Sequence, residues 1–174
     1  IASRAQELNL DLAGAQVVSL RDEELLNKYA SRLAELRAHK GVTPEKARQL
    51  LQDSAYFGTM MIESGDADGM VSGACHTTAN TIRPALQIIK TKPEVSTVSG
   101  AFLMLFSDHA ALYADCAVSI DPNPSQLADI AAASASTASQ FGIDPKVALI
   151  SYSTGDSGSG ETVEKVLQAT QIVK

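Results

Sequence analysis

Apolar positions along the chain recur at two different periods, and the alternation between them predicts an α/β protein. Between Arg21 and Ala38, Leu25, Leu26, Tyr29, Leu33 and Leu36 fall three and four apart, the spacing of one buried helical face. Asp22, Glu23 and Glu24 stand at its start and Arg37 to Lys40 at its end, the order a helix dipole favours, and Gly41 closes it. Thr43-Pro44 supplies a cap and a first-turn proline for a short helix to about Leu51, and Ser54 to Ser64 is apolar almost all round, which predicts a buried helix. Weak helical spacing covers Ile1 to Leu10. Further helices are predicted over Thr77 to Ile89, from Asp121-Pro122-Asn123-Pro124-Ser125 to Gln140 with a stop at Gly142, and from Glu161 onward. Short apolar runs predict strands at Gly14 to Val18, at Met70-Val71 and, buried, at Val147 to Ser151. Ser96 to Phe106 and Ala111 to Val118 are close enough in sequence to form a hairpin.

Strand, tight loop and helix in succession form the unit of a parallel sheet. At 174 residues the chain can form one good core or two small halves, and the break at Lys90 to Pro93 is the natural seam. Hydrophobic residues make up 45% and charged residues 20%, which excludes a disordered chain. No apolar run reaches the roughly 20 residues of a membrane span, and no basic-then-apolar leader opens the sequence.

Charge refines the picture. The net charge of −6 argues against nucleic acid as a partner, because neutralising phosphates requires a basic face. Residues 1–92 hold eleven basic and eleven acidic side chains, whereas residues 93–174 hold three and nine, so the second part carries the whole excess. Every arginine (Arg4, Arg21, Arg32, Arg37, Arg48, Arg83) lies in the first part. Because bidentate recognition of phosphate prefers Arg to Lys, an anionic ligand is expected mainly there. Cys75 and Cys116 do not make a disulfide framework, so a reducing cytoplasm is expected. His39 and His109 lack ligand-spaced companions, which predicts no metal site.

Two loops could carry chemistry. Ser72-Gly73-Ala74-Cys75-His76-Thr77-Thr78 runs from a strand end into a helix start, where free N–H groups and two threonine hydroxyls suit an anion, and Arg83 follows along the helix. The same residues also read as a plain helix cap with a surface arginine. Adjacent Cys75 and His76 are poorly placed to act as nucleophile and base. In the second loop, Ser151-Tyr152-Ser153-Thr154-Gly155-Asp156-Ser157-Gly158-Ser159-Gly160, glycines and hydroxyls suit a ligand, although Asp156 and Glu161 would repel a polyphosphate and a solvated connector fits equally well. No Gly-Lys-Ser/Thr occurs, so a nucleoside-triphosphate loop is excluded.

The segments Glu35 to Gly41, Asp68 to Thr91, Asp121 to Pro124 and Ser151 to Gly155 together resemble the phosphate acetyltransferases (phosphotransacetylases), in family order along nearly the whole chain. The resemblance implies a three-layer α/β/α enzyme with a cleft between two domains. Residues 1–92 would be part of the first domain, binding coenzyme A and acyl phosphate, and residues 93–174 part of the second. It implies reversible acetyl transfer between acetyl phosphate and coenzyme A by direct thiolate attack, in a cytoplasmic homodimer, with coenzyme A as substrate and no resident cofactor.

By resemblance Arg37 and Arg83 match arginines implicated in coenzyme A binding. Ser72, His76, Thr77 and Thr78 lie in the loop lining the acetyl phosphate site, and Ser151, Tyr152, Ser153 and Thr154 face the cleft. The family's Asn-Asp-Leu-Ser-Arg-Gly segment, with its base, is expected beyond Lys174. No catalytic base is therefore assigned within the chain, which reads as an internal fragment, inactive alone. A phosphate butyryltransferase, or a non-catalytic acyl-CoA-sensing domain of the kind fused to malic enzymes, are the alternatives.

Overall fold

A computed structural model describes residues 1–93 and 95–173. Glu94 and Lys174, which fall in the second expected domain, lie outside the described residues. The fold is α/β, and its contacts divide the chain into two compact units, Ile1–Lys90 and Thr91–Lys174.

The first unit is helical, with α1 (Ala2–Glu7), α2 (Glu23–Arg37, extended by a 3₁₀ turn to Lys40), α3 (Pro44–Leu50), α4 (Ser54–Glu63) and α5 (Thr78–Ile88). The starts of α2 to α5 are set by their caps. Asp22 accepts from the Glu24 and Leu25 N–H groups, Thr43 from Lys46, Asp53 from Ala55 and Thr77 from Asn80. Each cap satisfies a donor that the first helical turn leaves orphaned. Gly41, at φ +70°, closes the 3₁₀ turn in the left-handed region where a Cβ is strained.

The core of this unit gathers Leu26, Tyr29 and Leu33 of α2, Ala47 and Leu51 of the α3 segment, Phe57 and Met60 of α4 and Ile88 of α5. Tyr29 is fully buried and meets the Phe57 ring edge-on at 5.2 Å. Its hydroxyl donates to Asp66 Oδ2 at 2.7 Å, and Lys28 Nζ reaches the same oxygen at 2.5 Å. Burial first, and then the Asp66 carboxylate, push the Tyr29 phenol well above its ordinary value, while the bonds from Lys28 and Tyr29 lower the Asp66 carboxyl.

The second unit holds a hairpin of β1 (Ala101–Leu105) and β2 (Ala110–Ala114), then α6 (Pro124–Gln140) and α7 (Glu161–Val173). The strands pair antiparallel, with Phe102 opposite Tyr113 and Leu103 opposite Leu112. Asn123 and Gln126 form a reciprocal capping box that starts α6, which packs on α7 and on β2.

Three expected strands are corrected. Gly14 to Val18, Met70-Val71 and Val147 to Ser151 form no ladder among the described residues, and the expected hairpin arms shorten to five residues each. Nor is Val147 to Ser151 buried, since Ile150 is 88% exposed. The reason lies in the backbone: a helix satisfies its own N–H and C=O groups, but a strand needs a neighbour, and none of these runs lies beside one.

Candidate functional site

In the first unit every residue from Val71 to Asn80 is exposed, including Ser72, Cys75, His76, Thr77 and Thr78. Gly73 takes φ +110°, a conformation its place in the loop reserves for glycine. Thr77 is the N-cap of α5, its hydroxyl accepting from the Asn80 N–H at 3.3 Å, and Thr78 is the first helical residue. The cap reading of Thr77 is therefore correct as far as it goes, and the Thr78 hydroxyl stays exposed beside it.

The arginines divide by what they touch. Arg32 grips Glu63 through Nε and Nη2, the shortest contact being 2.8 Å, and Arg48 bridges Asn27 and Glu23. Those two are committed to holding helices together. Arg83 is exposed on α5 with no ion-pair partner among the described residues. Arg37, half-buried at the end of α2, donates from Nη1 to the Gln87 backbone carbonyl at 3.2 Å. Gln87 lies one helical turn beyond Arg83, so α5 brings the two sequence-expected arginines to the same helix.

The sequence reading missed Gln87 and Tyr56. Tyr56 donates its hydroxyl to Gln87 Oε1 at 2.8 Å, which fixes the side-chain amide of the residue whose backbone carbonyl Arg37 caps. The four-residue spacing from Arg83 was a visible signal for Gln87. The contact to α4 was not, because it joins residues far apart in sequence.

The Ser151 to Gly160 loop belongs to the second unit and is braced by its own hydroxyls. Ser153 Oγ accepts from the Gly158 N–H at 2.9 Å and donates to the Gly155 carbonyl at 2.8 Å, while Ser151 Oγ accepts from the Ser153 N–H at 3.1 Å. A Cβ on Gly158 would stand 3.1 Å from the Ser153 Cβ, a tight approach that would press on the brace Ser153 makes. Ser151 and Ser153 thus spend their hydroxyls inside the loop, leaving Tyr152 and Thr154 as its exposed side chains.

Carboxylates dominate the rest of this unit. An open groove of about 420 Å³ is lined by Asp121, Glu161 and Glu164 against Lys165, whose ammonium is already paired with Asp121 at 2.5 Å. Asp115, just after β2, accepts backbone N–H bonds from Gly100, Ala117, Val118 and Ser119. Burial alone pushes its carboxyl up, but the N–H groups of Ala117, Val118, Ser119 and Gly100 together outweigh it and hold the group well below the usual carboxylate range. Among the described residues no group of three or more His, Cys, Asp or Glu side chains could hold a metal ion, and no helix is long and apolar enough to cross a membrane.

The phosphate acetyltransferase of Nitratidesulfovibrio vulgaris is 51% identical over 174 residues, 100% of this chain and 25% of its own length. That of Corynebacterium glutamicum is 52% identical over 169 residues, 97% of this chain and 51% of its own length. Among solved structures, the EutD phosphotransacetylase from Staphylococcus aureus superposes with a TM-score of 0.88 at 44% identity, covering 99% of this chain and 52% of that one. The chain therefore spans about half the length of that solved relative and between a quarter and a half of these curated ones. A family model described as "Phosphate acetyl/butaryl transferase" matches residues 1–174, and the chain belongs to that family.

Proposed function

We propose that this chain is the substrate-gripping part of a phosphate acetyltransferase, an enzyme that moves an acetyl group reversibly between acetyl phosphate and coenzyme A. The observation that carries the reading is the 51% identity to a phosphate acetyltransferase over all 174 residues. The arrangement on α5 supports it, since two arginines outside the ion-paired set reach one helix whose start is an exposed, hydroxyl-bearing loop.

The family resemblance implies the residue roles, and the reaction they serve is simple. The thiol of coenzyme A, with a free pKa of about 8.5, must lose its proton before its sulfur attacks the acetyl carbon. A carbon–sulfur bond forms, the carbon–oxygen bond to phosphate breaks, and phosphate leaves with the electron pair. Arg37 and Arg83 hold phosphate groups of coenzyme A. Ser72, His76, Thr77 and Thr78 line the acetyl phosphate site, and in the second unit Tyr152 and Thr154 are the side chains offered to substrate by a loop that Ser151 and Ser153 brace. The first unit is on this reading part of the coenzyme A- and acyl-phosphate-binding domain. Coenzyme A is a substrate, no resident cofactor takes part, and the enzyme works in the cytoplasm as a homodimer.

A chimera tests the reading. Residues 1–174 replace the matching segment of the Corynebacterium glutamicum enzyme, and release of coenzyme A-dependent phosphate is followed with acetyl and butyryl phosphate. Turnover with acetyl phosphate at a rate near the parent's is expected. A folded chimera that binds coenzyme A without turning over would turn the reading toward a sensing domain, and a preference for butyryl phosphate toward the butyryl enzyme.

A further inference from the structure

On α5, Asn80, Arg83 and Gln87 recur at three and four and form one polar stripe along the helix. Gln87 makes two contacts of different kinds. The helix ends at Ile88, so the Gln87 backbone carbonyl has no intrahelical partner, and Arg37 Nη1 fills that vacancy at 3.2 Å. Its side-chain oxygen meanwhile accepts from the Tyr56 hydroxyl at 2.8 Å.

The second contact decides the chemistry of the amide. A glutamine side chain offers an anion either two N–H donors or a repelling oxygen, depending on which way it is turned. With Oε1 held by Tyr56, Nε2 is the end left over, and it has no hydrogen-bond partner among the described residues. Arg83 stands four residues earlier on the same face of α5, and Arg37 caps the backbone carbonyl of Gln87 itself, so the amide lies between two arginine-bearing positions along the chain's fold.

We propose that Gln87 Nε2 is a third donor in the grip on a phosphate group of coenzyme A, and that Tyr56 is a positioning residue that keeps the amide turned donor-outward. This rests on the reading of Arg37 and Arg83 as phosphate-gripping residues. It assigns Tyr56 a part that proximity to substrate would not suggest, because its hydroxyl acts only through Gln87.

Steady-state kinetics of the chimera, with melting temperatures in parallel, tests the assignment. Gln87→Glu keeps the shape and reverses the polarity, and should raise the KM for coenzyme A about tenfold or more, with kcat close to unchanged. Tyr56→Phe removes one hydroxyl and should raise it by about two- to tenfold. In a Gln87→Met background the Tyr56→Phe change should add nothing to KM, since the amide it orients is gone. A purely structural pair would instead lower the melting temperature and leave KM alone, and that result would overturn the proposal. Arg83→Ala separates the two levels: if it raises KM while Gln87→Glu does not, the Gln87 assignment falls and the arginine reading stands. If neither raises it, both fall.

Discussion

In the helical unit Tyr29, Leu51 and Met60 are completely enclosed, whereas in the second unit Ile150, in an apolar run that pairs with no strand among the described residues, is 88% exposed. The contrast follows from how the two kinds of element satisfy themselves. Helices α2 to α5 close their backbone bonds internally and need only face one another to bury a stripe. Strand-forming runs need neighbours along their edges, and only Ala101–Leu105 and Ala110–Ala114 find one another among the described residues. The two units also differ in charge: the first places arginines where they pair or project, and the second surrounds its groove with carboxylates. A polyanion is therefore matched to the first unit and opposed by that groove.

The largest effect should come from breaking the enclosed core. Tyr29→Ala removes the ring that packs on Phe57 and strands the Asp66 bond, and should destabilise the chain by about 3–5 kcal/mol in denaturant unfolding. Ile150→Ser, in the exposed run, should stay within about 0.5 kcal/mol of the parent. Equal losses at the two sites would erase the distinction between the units.

A smaller effect is expected at Asp115, the best-satisfied carboxylate among the described residues of the second unit. Its folded pKa lies below the ordinary 3.8, so the stability it contributes is fully present above that value and is lost as the pH falls through it toward the folded pKa. Asp115→Asn should cost about 1.5–3 kcal/mol near neutral pH, the scale of a hydrogen bond to a charged group. It should also flatten, without abolishing, the acid limb of a melting-temperature profile, because Asp66 contributes with the same sign. An acid limb as steep in the variant as in the parent would remove Asp115 from the account.

The smallest effect is expected at Cys75, exposed in the loop before α5. Direct attack by the incoming thiolate needs no acyl-enzyme, so Cys75→Ala should keep most of the chimera's turnover. Intact mass analysis after incubation with acetyl phosphate alone should show no adduct. An acetyl group on Cys75 that disappears on adding coenzyme A would establish a covalent route.

The helices were legible because their signals are local: Asp22, Thr43-Pro44, Thr77 and Asn123-Pro124 mark their starts within a few residues. The strands at Gly14 to Val18 and Val147 to Ser151 were misread because an apolar run states a propensity and not a partner. At the candidate site, Thr77 and Arg83 could be picked out from the sequence. The tie from Arg37 to Gln87 spans 50 residues and that from Tyr56 to Gln87 spans 31, and neither leaves a trace in the spacing.

The central claim is that the helical unit houses the anion grip, and coenzyme A titrated calorimetrically into the 174-residue chain tests it most directly. Binding is expected that Arg83→Ala weakens by about tenfold or more, with the melting temperature unchanged, since the loss of a hydrogen bond to a charged group costs about 1.5–3 kcal/mol. Equal affinity in parent and variant, or no binding by the parent, would contradict it.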